Sequence, residues 1–122
     1  MRAAVITGVL GALLASQSFA ADKLAPEIIK TTFFTGQEFT AATPSGVKFK
    51  MVFTPDGKAT RIPAANAGAK GEGTWKVTKE GFCTTWKNAK PNCFTIVAAG
   101  DNKWSVMKGV GKSPVLVAVW TK

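Results

Sequence analysis

The sequence predicts an all-β domain, a small antiparallel meander barrel of about eight strands behind a short N-terminal helical segment. Three observations carry that expectation. After Gly36 the chain is a succession of short runs rich in β-branched and aromatic residues, each bounded by Gly, Pro, Asn or Asp, at the spacing of a sandwich or barrel. Within the runs, apolar and polar residues alternate, so each strand has one dry and one wet face. The turns, taken independently, also give a consistent inner face from strand to strand. Closing such a meander on itself leaves no exposed sheet edge. A two-sheet β-sandwich is the alternative.

The first element is not part of the fold. Met1-Arg2 is a short cationic start, Ala3 to Ala15 is an apolar run, and Ser18-Phe19-Ala20 is a small-x-small cleavage signal, the anatomy of a secretory signal peptide. The run falls short of the roughly twenty residues that cross a bilayer. Residues 1–20 are therefore expected to be cleaved. Residues 21–35 form an N-terminal extension in which Leu24 to Lys30 is helical, with Pro26 in its first turn. Residues 36–122 form the single barrel domain.

Eight strands are expected, over about residues 37–43, 47–54, 58–63, 73–79, 82–87, 93–99, 103–108 and 115–121. The loop Pro44-Ser45-Gly46 sets Ala41 opposite Phe49 and Phe39 opposite Met51. A two-residue Asp56-Gly57 turn pairs Phe53 with Thr60 and Met51 with Ile62, which sends Arg61 outward beside Lys50. Glu80-Gly81 pairs Trp75 with Trp86, and Gly100-Asp101-Asn102 pairs Ala98 with Trp104 and Ile96 with Val106. Ala64 to Gly71, small and Gly-containing, is a long loop. Val115 to Trp120 is apolar on both faces and is expected to be covered outside by Ile28, Ile29, Phe33 and Phe34.

Phe82 and Phe94 as inward partners place Cys83 directly opposite Cys93 on the outer face, close enough for a disulfide. The compartment implied by the leader is oxidising, and neither a C-x-x-C redox motif nor a His to complete a zinc site is present. A staple of this loop length contributes about 3 kcal/mol.

Function classes narrow mostly by absence. With no His and no Tyr, the commonest general bases and the Ser-His-Asp and Cys-His arrangements are missing. Asp56, Glu80 and Asp101 sit in turns, where they belong for backbone reasons. A non-catalytic, cofactor-free and metal-free protein is expected. Of the four tryptophans, Trp75, Trp86 and Trp104 fall on the inner face with Phe39, Phe49, Phe53, Phe82 and Phe94. That bulk predicts a filled interior; a cavity for one small apolar ligand is the alternative.

Without Arg2, fifteen Lys and Arg face seven Asp and Glu, a charge near +8. Lys48, Lys50, Arg61, Lys76 and Lys87 are expected to point outward as a candidate basic face for an anionic envelope component. The aromatics point the other way, which argues against single-stranded nucleic acid. Ordinary solubility is the competing reading of these charges.

The stretch Gly73-Thr-Trp, Cys83-Thr-Thr-Trp86 and Cys93-Phe94, followed by Lys103-Trp-Ser-Val, resembles small periplasmic alphaproteobacterial proteins that carry a G-x-W, C-x-x-W, C-[FY] pattern on a lipocalin-like barrel. The resemblance covers about residues 36–108. It implies a periplasmic location and the fold, but no activity; the extracellular medium is the alternative location, and a monomer is expected. More distantly, the size, leader and single Cys pair are similar to bacterial periplasmic inhibitors of proteases and lysozyme. The strong positive charge argues against a cationic lysozyme as partner. The reading that follows is an exported binding module of the cell envelope. The alternatives are an inhibitor of a secreted hydrolase acting through residues 22–34, and a carrier of a small apolar ligand.

Overall fold

The structure, a computed structural model, describes residues 23–64, 70–109 and 114–122. The expected leader lies outside the described residues, as do residues 65–69 of the expected loop. Among these residues one helix, α1 (Pro26–Phe33), precedes eight strands: β1 (Phe39–Ala42), β2 (Lys48–Phe53), β3 (Lys58–Pro63), β4 (Gly71–Val77), β5 (Phe82–Trp86), β6 (Asn92–Gly100), β7 (Lys103–Lys108) and β8 (Val115–Thr121). Each strand pairs antiparallel with the next, and β8 returns to β1, so the sheet is a closed barrel. The β1–β2, β3–β4, β5–β6 and β7–β8 connections share one end. The other three connections and the helix share the opposite end.

Three hairpins have the expected partners. Ala41 faces Phe49 across β1–β2, Cys83 faces Cys93 across β5–β6, and Ala98 faces Trp104 across β6–β7. Cys83 and Cys93 form a disulfide with their Cα atoms 3.9 Å apart.

Two hairpins differ, and for different reasons. After β2 the loop has three residues, Pro55-Asp56-Gly57, because the Thr54 N–H bonds to the Lys58 carbonyl at 2.9 Å. Gly57 supplies the positive φ, +95°, that closes such a loop. One residue more in the turn shifts the register by one, which exchanges the two faces of the strand. Phe53 therefore faces Ala59 and Met51 faces Arg61. Arg61 points into the barrel and not outward beside Lys50, and Ile62 is left outside, 40% exposed. At the β4–β5 turn the Thr78 N–H bonds to the Gly81 carbonyl at 2.8 Å, one position earlier than expected. Partners move by two and the faces are kept: Trp75 faces Thr84 and Trp86 faces Gly73, both rings still inward. The tryptophans are diagonal neighbours, not direct partners.

The N-terminal segment does not cover β8. Ile29 and Phe33, one turn apart on α1, and Phe34 beyond it are buried inside the end of the barrel. Phe33 meets Trp104, Trp120 and Phe39 edge-on, with ring centroids at 4.8, 4.9 and 5.2 Å. Phe34 stacks on Phe53 at 4.8 Å and lies 4.3 Å from Trp75. Burying these rings outweighs shielding the aliphatic outer face of β8, so Val115 stays 62% exposed. Polar contacts fix the plug. Only three residues of β5 pair with β6, and beyond them the Ile96 carbonyl accepts the Leu24 N–H at 2.7 Å. At the helix C-terminus the Lys122 ammonium bonds the Thr32 carbonyl at 2.6 Å, a cation at the negative end of the helix dipole.

Candidate functional site

The inward side chains divide the interior into a filled half and an open half. On the helix side, Phe33, Phe34, Phe39, Phe53, Phe82 and Trp120 form one aromatic cluster. Toward the other end the barrel holds a cavity of about 190 Å³. Phe53, Phe82 and Trp120 belong to its floor. Ala41, Met51, Val106, Val117 and Ala118 contribute to its apolar wall, and Thr43, Phe49, Arg61, Trp86 and Phe94 stand toward the mouth. Small residues open the space: Ala41 on β1 and Ala118 on β8 occupy inward positions where Phe39 and Trp120 sit one step deeper.

Among the described residues Arg61 is the one ionisable side chain of this lining. Its guanidinium carbon lies 4.4 Å from the Trp86 ring centroid and 5.8 Å from that of Phe49, cation–π distances to two faces at the mouth. Among the described residues no carboxylate lies within salt-bridge distance of it; the three ion pairs present join Lys23 to Glu80, Lys50 to Glu38 and Lys70 to Glu72. Opposite Arg61 on β4 stands Gly71. A Cβ there would come within 2.9 Å of Arg61 Nε, so the glycine leaves the room in which the arginine lies. Thr84, buried, and Thr43 add two hydroxyls to an otherwise apolar wall.

The residues expected to form a basic face are not brought together. Lys48 and Lys50 are outward on β2, Lys76 is outward on β4, and β3 runs between them with Thr60 and Ile62 on its outer side. Lys50 is 4.0 Å from Glu38. Lys87 follows β5 at the open end, and Arg61 has left the group for the interior. Trp75, Trp86 and Trp104 are inward as expected, but only Trp86 lines the cavity. Trp75 packs on the plug and donates its Nε1–H to the Thr54 carbonyl at 2.8 Å. Trp104 packs on Phe33. Trp120, unassigned from sequence because β8 is apolar on both faces, is a centre of the aromatic cluster at 3% exposure.

Charge is polarised along the barrel. Of the described carboxylates, Glu27, Glu38, Asp56, Glu80 and Asp101 lie at the plugged end, and only Glu72 at the open end. Lys48, Lys70, Lys87, Lys90 and Lys108 stand at the open ends of strands or in the loops there, Lys70 and Lys87 beside Arg61. Among the described residues no helix is long and apolar enough to cross a membrane. Comparisons with protein families, curated proteins and solved structures found no match for this chain.

Proposed function

We propose that this protein is an exported, non-catalytic binding barrel that carries a small, largely apolar ligand in the open half of its lumen. The observation that carries the reading is the cavity of about 190 Å³ left open in a barrel whose other half is packed by its own helix. An apolar cavity of about 150 Å³ holds one benzene, so the volume suits a single ring or a short chain. The lining offers apolar surface and few polar groups, the usual make-up of a small-molecule site. Among the described residues its one ionisable group is an arginine, and the lining has no carboxylate, Cys or Lys to serve as an acid, base or nucleophile. The leader, the disulfide and the lipocalin-like resemblance favour the periplasm as its compartment.

The alternative of a hydrolase inhibitor acting through residues 22–34 loses support, because Ile29, Phe33 and Phe34 would have to leave the barrel to reach a partner. An anionic partner stays part of the reading, met by the cations of the open end and not by a face across β2 to β4.

Titrating the mature protein with octan-1-ol while following tryptophan emission tests the proposal, since Trp86 and Trp120 line the cavity. Saturable binding is expected, weakened at least severalfold by Ala118→Leu, which fills the cavity without opening the fold. Absence of saturation up to the solubility limit, or affinity indifferent to Ala118→Leu, would overturn it.

A further inference from the structure

We infer that the ligand is an amphipathic carboxylate, its apolar part in the lumen and its carboxylate held by Arg61 at the mouth. The inference rests on reading the lumen as a ligand site and adds the chemistry of the head group. Four observations converge on it. Arg61 is the only arginine among the described residues, whose other cations are all lysine, and it stands at the rim of an apolar cavity. A guanidinium is a planar fork that meets a carboxylate with two parallel N–H···O bonds, which an ammonium cannot do. The ring of Trp86, 4.4 Å from the guanidinium carbon, offers a face for the fork to lie on, and Gly71 opposite gives the side chain room to lie there. No carboxylate of the described residues neutralises it, although the protein pairs three of its lysines. A cation beside an apolar wall, with no carboxylate of the described residues within salt-bridge distance, favours an anion over a neutral head, since the side chains on that wall screen it less than water does.

The rest of the open end acts in the same direction. Lys48, Lys70, Lys87, Lys90 and Lys108 against Glu72 give that end a positive field, which raises the encounter rate of small anions and falls with ionic strength. The lysines gather the ligand and Arg61 orients it.

The test compares octanoate with octan-1-ol, matched in chain and different in head, on the full mature protein at low and at 0.5 M salt. Octanoate is expected to bind at least tenfold tighter than the alcohol at low salt, the increment of a charge-assisted hydrogen bond. Arg61→Gln should bring the acid-to-alcohol ratio close to one. Gly71→Ala, whose Cβ displaces the guanidinium without removing it, should lower the ratio severalfold. Lys103→Gln, the same loss of charge at the plugged end, should keep the wild-type ratio. A wild-type ratio near one, or a ratio that survives both Arg61→Gln and Gly71→Ala, overturns the assignment of Arg61 while leaving the cavity as a site for neutral ligands. Failure of both compounds to bind wild type overturns the ligand-site reading beneath it. Melting curves of each variant, measured beside the titrations, show that the protein assayed is folded.

Discussion

At the turn after β2, Thr54 and Asp56 show how much one side chain decides. The Thr54 hydroxyl donates to the Asp56 carboxylate, and the Lys58 N–H approaches the same oxygen at 3.4 Å. Both favour the charged form, the Thr54 bond most, and hold the Asp56 carboxyl below its ordinary value of 3.8. A carboxyl depressed in the folded state stabilises the fold above its unfolded value, and that contribution disappears as pH falls through the folded one. Asp56→Asn should therefore flatten the fall of melting temperature below about pH 4. Parallel melts at pH 6 and pH 2.5 check it, and an unaltered acid limb would refute it. A second residue-scale prediction concerns Trp75, whose ring packs on Phe34 and whose N–H satisfies the Thr54 carbonyl. Trp75→Phe should cost about 1 kcal/mol and Trp75→Ala about 3–5 kcal/mol, read by urea unfolding. Equal costs would mean that the hydrogen bond contributes nothing. This turn also marks a limit of reading from sequence. Asp-Gly signals a hairpin whether its loop holds two residues or three, and that single residue decides which face carries Arg61.

At the scale of elements, strand positions were legible from alternation and turn residues. Lys58–Pro63, Lys103–Lys108 and Val115–Thr121 begin and end where the pattern placed them, and β4 starts two residues early at Gly71. Register was legible at Cys83 opposite Cys93 and at the turns after β1 and β6, and not at the turns after β2 and β4, where one loop residue or one turn position decided it. The destination of α1 was not legible. Ile29, Phe33 and Phe34 announce an apolar face, but any apolar surface would receive it, and only the closed barrel reveals an end that needs filling. Two predictions belong here. Phe33→Ala should cost about 3–5 kcal/mol, because three rings lose an edge-on partner, whereas Ile28→Ala, at a position 51% exposed, should stay within about 0.5 kcal/mol. Replacing Cys83 and Cys93 together by Ala should cost about 2–4 kcal/mol, since the bridge restricts the unfolded chain more than it shapes the strands it joins. Chemical denaturation of each variant measures both, and a Phe33→Ala cost below 1 kcal/mol would place the helix outside the core.

For the whole molecule, one strand pattern serves two opposite ends, and the helix is what makes them different. Aromatic bulk suggested an interior filled throughout; in the structure the bulk collects around the plug, and Ala41 and Ala118 leave the other half open. The plug is then a stability element that permits the cavity. Burying Ile29, Phe33 and Phe34 contributes roughly 1.5–3 kcal/mol each, an upper figure that together is comparable with the about 5–15 kcal/mol by which a domain of this size is stable. A chain trimmed to begin at Gly36 should therefore not be a barrel with an intact pocket and a missing tail. It should melt far below a protein that begins at Ala21, bind an apolar dye through its exposed aromatic end, and lose octan-1-ol affinity in proportion to its folded fraction. A separable inhibitory tail predicts the opposite, a trimmed barrel with nearly the same melting temperature and full ligand affinity. Calorimetry of the trimmed and full proteins, side by side, decides between the two, because only a segment that is part of the core takes the melting transition with it when it goes.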